Sequence, residues 1–447
     1  MALHTARNVL NAPLTLPLKL PDAPNFIVHL FALALPMTRV GRLGTPCAAG
    51  DRNVAELADQ AVIRRASRSD ATDPHALPAL SDVAAGQWRA LAKRAIEANG
   101  YYQPEWELAV NASARGRTGA AALGAVNDSG QLIGLLPVVP MQRVYRIPLP
   151  ALVAAEPYGT LCTPLLDRDA AEDAATGLLR QARISGAHAL IVRTMSLEGP
   201  AMTAIEAALA RDGLRPRVLH AWQRATLDAT RDADDLLREA LGAKKLKELR
   251  RQRYRLADHG AVRFAVARTP REVASALETF LALEAGGWKG RRGTALGQHA
   301  GDAAFIRRAT SALAETGSCE IVTLHAGETP LAGGIVVRHQ DRAFFFKIGI
   351  DERFAKFSPG AQLTLDLTRH LCADPAIASV DSTATPGHPM IDPIWRGRFA
   401  IGDVLIPLRR RDPLFAAIHA AVIMHRLAYD AARGTVHAIR NRRRKSS

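Results

Sequence analysis

Phe344-Phe345-Phe346-Lys347-Ile348-Gly349-Ile350-Asp351, followed by Glu352 to Phe357 and then Ser358-Pro359-Gly360-Ala361, is the stretch on which the fold turns. Its apolar, β-prone start reads as a buried strand, the middle as a short basic loop, and the end as the start of a helix. Ser358 is a natural N-cap, Pro359 suits the first helical position, and Gly360 leaves the backbone open to close approach. The helix continues from Ala361 to Leu371. Its N-terminus offers unbonded N–H groups and the positive end of the helix dipole, which suit an anion, most often phosphate. A Ser-Pro-Gly run by itself marks only a capped helix. The preceding strand and basic loop turn the reading toward a phosphate seat.

At 447 residues the chain exceeds one ordinary core, so two domains with tails are expected. The formal charge of +15 has two open readings: a polyanionic partner, or a compositional bias toward arginine and alanine. Much of the excess sits outside the expected cores, at Arg64, Arg65 and Arg68, at Arg409-Arg410-Arg411, and from Arg440 to Lys445. Cys47, Cys162, Cys319 and Cys372 are far apart and match no metal-ligand or redox-pair spacing. A reducing compartment, no disulfide framework and no metal are therefore expected. No apolar run is long enough to cross a bilayer. Phe26 to Leu35 is apolar and Ala32-Leu33-Ala34 resembles a cleavage site, but His29 interrupts it and several prolines precede it. An unstructured leader is the preferred reading, with a cytoplasmic location.

Residues 1–80 are rich in Pro, Ala, Arg and Asp and show little periodicity. Helical spacing begins after Ser81-Asp82 with Trp88, Leu91, Ala92, Ala95 and Ile96. Ala120 to Asn127 and Gln131 to Val139 read as a hairpin about Asp128-Ser129-Gly130. A helix over 170–185, a strand over 189–194, a helix over 201–212 and strand residues up to Leu227 follow. The second half opens with a strongly basic helix ending Lys244 to Arg255, with Leu246, Leu249 and Leu256 on one stripe. Then come a strand over 262–267, a helix over 270–285, and the loop Gly286-Gly287-Trp288-Lys289-Gly290-Arg291-Arg292-Gly293-Thr294. A helix over 303–316 and strands over 319–325 and 331–338 precede the opening stretch, and a strand over 378–382 follows it. The second half thus runs helix, helix, hairpin, strand, helix, strand, and the first half shows a shorter version of that order. The divisions expected are 1–80, 81–228, 229–410 and a basic helical tail at 411–447.

That order, with an anion-ready helix after the longest strand, resembles the GNAT acyltransferases, and in detail their CelD-like (acetyltransferase-6) branch, related to the FemAB tandem-GNAT transferases. The matching residues are Lys245-Leu246-Lys247-Glu248-Leu249-Arg250-Arg251, Gly287-Trp288-Lys289-Gly290, Leu331-Ala332-Gly333-Gly334, and Phe346 to Asp351 followed by Phe357-Ser358-Pro359-Gly360. The resemblance covers about residues 85–410. It implies an α/β (α+β) fold of two GNAT-like domains, each a mixed central sheet flanked by helices. It also implies acetyl-CoA or another acyl-CoA as donor. The pyrophosphate would sit on the amides of Phe357, Ser358, Gly360 and Ala361, with Arg353 and Lys356 adding charge. The pantetheine would pair along the strand at Lys347, Ile348 and Gly349, one of whose N–H groups would polarise the thioester. The acceptor would be an amine or hydroxyl, by resemblance a sugar of an exopolysaccharide such as cellulose or another envelope precursor.

Around that donor site the residues leave several roles open. Trp288 and Lys289 belong either to a loop that closes over the acceptor or to an aromatic plug with a solvated lysine. Glu284 is a general base if burial raises its pKa, and otherwise an exposed helix glutamate. His388, in the polar run after the last strand, either takes the proton of the attacking group or caps a turn. Asp381 and Asp392 are candidates to orient His388 or bind the acceptor, whereas Trp395 reads as packing. No tyrosine occurs between Tyr254 and Tyr429, so the phenol that protonates the departing thiolate in many enzymes of this fold has no local counterpart. An aminoacyl-tRNA donor is the second reading, without the long heptad segment that FemAB proteins carry. A non-catalytic protein that binds an anionic polymer or membrane surface is the third, through the basic tail and the amphipathic 414–439 helix. Nucleic acid is not an expected partner.

Overall fold

The computed structural model describes residues 76–445, with side chains as far as residue 433. The expected leader and the apolar 26–35 stretch lie outside the described residues. α1 (Ala85–Arg94) buries Trp88, Leu91 and Ala92, as the periodicity requires. α2 (Pro104–Ser113) has weak amphipathic patterning and was not legible, yet it buries Trp106, whose indole N–H donates to the Pro157 carbonyl at 2.6 Å. β1 (Ala121–Val126) and β2 (Leu132–Pro140) form the hairpin. Asn127 shapes its turn by accepting from the N–H groups of Ser129 and Gln131. α3 (Met141–Tyr145), β3 (Ala151–Ala154), β4 (Leu165–Leu166), α4 (Ala171–Ile184), β5 (Ala189–Ser196), α5 (Pro200–Arg211) and β6 (Arg217–Asp228) complete the first half.

The second half starts with α6 (Ala233–Leu256), which bends at Gly242 (φ 70°), buries Leu246, Leu249 and Leu256 and leaves most of its cations in solvent. β7 (Val262–Ala267) leads to α7 (Pro270–Gly286), started by a reciprocal Thr269–Glu272 cap. The expected loop after it contains a single turn of helix, α8 (Trp288–Arg291). α9 (Ala300–Glu315), β8 (Cys319–Ala326), β9 (Thr329–His339), β10 (Arg342–Ile350), α10 (Pro359–Cys372) and β11 (Ser379–Asp381) then run in the expected order. β12 (Gly397–Pro407) was not expected, and α11 (Pro413–Lys445) forms the tail. Cys162, Cys319 and Cys372 are free thiols.

The strands form one mixed twelve-stranded sheet in the order β1-β2-β3-β5-β12-β6-β11-β10-β9-β8-β7, with β4 on β2. Each half contributes a hairpin, a third strand, a crossover helix and a parallel return strand: β3 beside β5, and β10 beside β11. The halves then exchange strands. β6 pairs with β11, and β12 returns to pair with β5 and β6. The division at 228/229 therefore follows a strand whose partners both lie in the second half. α7 and α9 cover one face of the second-half sheet together with Tyr101 and Trp106 from the first half. α6 and α10 cover the other face.

Candidate active site

β10 holds a strand partner on both sides only as far as Phe344, which is opposite Asp381. β11 then leaves through Thr383 (φ 54°), whose hydroxyl donates to the Phe345 carbonyl at 2.7 Å. Beyond that tie, among the described residues, Lys347 to Ile350 pair with β9 alone. A bulge makes Phe346 the extra residue between Phe345 and Lys347. Such an insertion flips the side-chain alternation of everything after it. Ile348 and Ile350 accordingly lie on the α10 side, while Lys347 and Gly349 face α7. Gly349 keeps β10 close to α7, since a Cβ would lie 3.1 Å from the Glu284 nitrogen and 3.3 Å from Leu283 Cβ and would need one of them to shift.

The flip delivers Lys347 to Glu284. One carboxylate oxygen of Glu284 accepts from Lys347 Nζ and from Lys289 Nζ, each at 3.2 Å, and the other accepts from the Leu296 N–H at 2.8 Å. Lys289 Nζ also donates to the Ile348 carbonyl at 3.0 Å. Glu284 is 2% exposed, so it is not the solvated helix glutamate of one reading. Nor does it meet the condition for a general base. Burial pushes its carboxyl up, but Lys347, Lys289 and the Leu296 N–H outweigh that and hold it below its usual range. Burial, with Lys347 beside it, instead pulls the Lys289 ammonium down to about 8 against the opposing pull of Glu284. The signal that a sequence could carry was the acid and the two bases; their convergence required the bulge.

Trp288 is 38% exposed and is no core plug. Its backbone N–H donates to Glu352 Oε1 at 2.7 Å, and Arg291 pairs with Glu352 at 2.6 Å, so the loop is anchored to the turn after β10. The Arg292 guanidinium lies 5.0 Å from the Trp288 ring centre.

The start of α10 departs from its expected cap. A 3-10 turn over Glu352–Phe357 runs directly into the helix, and Ser358 reverses the chain in a left-handed conformation (φ 53°) without a side-chain capping bond. The first helix N–H to find an acceptor is that of Gln362, on the Ser358 carbonyl. Gly360 is buried rather than open: a Cβ would stand 2.8 Å from Met390 Sδ and 3.4 Å from Ile350 Cγ2. Arg353 is committed to Asp351 at 2.7 Å, Lys356 lies 4.9 Å over the Phe357 ring, and Phe357 is buried. Ala361, partly buried, begins the face of α10 that meets the core.

Beyond β11, Asp381 is 1% exposed and cannot serve as expected. One of its oxygens is locked to Arg224 and the other accepts from the Thr383 N–H at 2.9 Å. His388 Nδ1 accepts from the Met390 and Ile391 N–H groups at 3.4 Å, the turn-capping arrangement. Asp392 accepts from the Gly387 N–H at 2.8 Å and closes the same loop. Trp395 is buried and donates to Thr368 at 2.9 Å, which is packing as expected.

A tyrosine from the first half reaches the lysine cluster. Tyr158 (φ 60°) donates to Asp302 Oδ2 at 3.1 Å, stacks on Phe305 and places its ring 5.9 Å from Lys347 Nζ. Burial, with Asp302 beside it, pushes its hydroxyl up, so it stays protonated. A cavity of about 700 Å³ lined by Glu97, Ser196, Gln340 and Arg342 lies at the far end of β10. Six residues of strand, roughly 20 Å, separate Arg342 from Ile348, so that cavity is not part of the lysine cluster. Among the described residues no group of three or more His, Cys, Asp or Glu is arranged to hold a metal ion. No described helix is long and apolar enough to cross a membrane.

Residues 243–386 match the family model described as an acetyltransferase (GNAT) domain. No curated protein matches the chain. Among solved structures, the chain is similar to FemX at 12% identity, covering 75% of this chain and 98% of that one, with a TM-score of 0.48. It is also similar to the C-terminal domain of a putative lysylphosphatidylglycerol synthetase from Agrobacterium fabrum, at 14% identity over 76% and 95% of the two chains, with a TM-score of 0.46. A tandem GNAT protein from the clavulanic acid biosynthesis pathway matches at 15% identity over 75% and 99%, with a TM-score of 0.36.

Proposed function

We propose, from the premise that residues 243–386 of this chain are a GNAT acetyltransferase domain, that the protein transfers an acyl group from a coenzyme A thioester to an amine or hydroxyl acceptor. The observation that supports this most is the edge of β10. Among the described residues it has no partner strand opposite β9 after Phe344, and it runs straight into the turn and helix start of 352–361. A pantetheine carries amide donors and acceptors in series and can lie on such an edge as an added strand. The pyrophosphate then reaches the N–H groups at the start of α10, where the helix dipole favours it. An N–H between Lys347 and Gly349 polarises the thioester carbonyl. The acceptor enters from the side of Trp288, Lys289 and Tyr158, where residues of both halves meet. Its nucleophile attacks the carbonyl carbon, the C–S bond breaks, and the thiolate leaves. The proton released by the nucleophile goes to that thiolate, and Tyr158, protonated and donating to Asp302, lines the acceptor side. A sugar acceptor is the class we favour, since each hydroxyl or amino group is a nucleophile of the required kind.

Thiol release from acetyl-CoA, followed in the presence of amino sugars, neutral sugars, polyamines and amino acids, tests the reading. Acceptor-dependent release is expected with at least one of the sugars. No release with any of them, in protein shown to be folded, would count against it.

A further inference from the structure

Lys289 carries a feature that donor binding does not use. Glu284 is a single carboxylate facing two amines, so the cluster holds one positive charge more than it can balance. That excess sits around a fully buried carboxylate, where a lone charge is costly. The amine that can give up its proton must also be reachable. Lys289 and Lys347 are alike in exposure, at 21% and 20% of the side chain, and of the two it is Lys289 whose Nζ rests against the Ile348 carbonyl on the free part of β10. Glu284 from α7 and Lys347 from β10 face it, Arg292 of its own loop lies over Trp288, and Tyr158 with Asp302 stands beyond Lys347. Its lowered pKa, about 8, agrees with that charge count.

We propose that Lys289 is itself an acyl acceptor, acylated by the thioester donor when no second substrate occupies the site. This rests on the donor reading above and adds a modification site to it. The neutral Nζ attacks the thioester carbonyl carbon. The C–N bond forms, the C–S bond breaks, and the proton lost by nitrogen goes to the departing thiolate, giving free coenzyme A and an amide. The amide carries no charge, so Glu284 and Lys347 are left as a balanced pair. Acylation thus removes the excess charge of the cluster, and it fills the acceptor side of β10 with the product.

The test incubates the full chain with acetyl-CoA and maps acetyl-lysine by mass spectrometry. Lys289 should be modified well ahead of the exposed lysines Lys244, Lys245 and Lys247. Its rate should fall about fiftyfold from about pH 8 to about pH 6, as the neutral fraction of an amine with this pKa does. Lys347→Met should slow it at least tenfold near neutral pH, because loss of the neighbouring charge returns the proton to Lys289. Acetic anhydride and calorimetric titration with coenzyme A separate the two claims. Preferential anhydride labelling of Lys289 without coenzyme A binding overturns the donor reading and the self-acylation with it. Coenzyme A binding with Lys289 unmodified, or modified no faster than surface lysines, overturns the self-acylation alone.

Discussion

Arg224 and Asp381 form a fully buried ion pair at the middle of the sheet, joining β6 to β11, and Arg224 also donates to the Thr160 carbonyl at 2.7 Å. Removing one member leaves a buried charge without its partner, a loss of about 3–5 kcal/mol. Asp381→Asn should therefore lower the unfolding free energy by several kcal/mol in denaturant melts while its folded fraction still binds coenzyme A with unchanged affinity. Lost binding at full stability would restore the catalytic role that its position after a strand suggested. His339 makes a second residue-scale prediction. Its Nδ1 accepts from the Asn99 N–H and its Nε2 donates to the Ala92 carbonyl, both at 2.9 Å, which requires the neutral ring. Burial pushes its pKa down to about 4. The unfolded chain binds that proton more readily, so the contribution is complete above about pH 6.5 and is lost as pH falls toward 4. Stability should drop by on the order of 3 kcal/mol across that window, and His339→Gln should flatten the drop.

The elements themselves were largely legible because their signals are local. The helix over 270–285, the hairpin turn at Asp128-Ser129-Gly130 and the leucine stripe of α6 each follow from residues within one or two turns. The helix start at Ser358 was legible as a boundary but not as a conformation, since the 3-10 turn ends with Ser358 in the left-handed region and not in the extended backbone typical of a side-chain cap. The bulge at Phe346 was not legible, because an apolar run alternates equally well in either phase. It decides the site, for without it Lys347 would share a face with Phe345 and never meet Glu284. Gly349→Val tests this packing of β10 against α7. The added branch meets the α7 backbone, so a loss of about 1–3 kcal/mol in stability and weaker coenzyme A binding are expected. A variant as stable as the parent would show that α7 and β10 are not held so closely.

At the scale of the molecule, the internal repetition was visible in the element order, but the strand exchange was not. β12 lies beyond the loop of His388, and its partners β5 and β6 are close to two hundred residues earlier in the chain, where no local pattern points. Tyr158 escaped notice for the same reason, as its place beside Lys347 depends on how the halves meet. The exchange predicts that residues 229–447 do not fold alone, because β6 would be missing from between β11 and β12. A cooperative melt of that fragment would contradict the interlocked sheet. The central claim is that β10 and the start of α10 seat coenzyme A, and calorimetric titration with acetyl-CoA tests it most directly. Gly360→Asp is a poor probe because Met390 fills that space. Ala361→Asp is a better one, since an acidic residue in the first turn favours the helix but opposes the phosphates. Saturable binding by the parent, weakened at least tenfold in folded Ala361→Asp, is the predicted result; no binding by the parent, or equal binding by both, would contradict it.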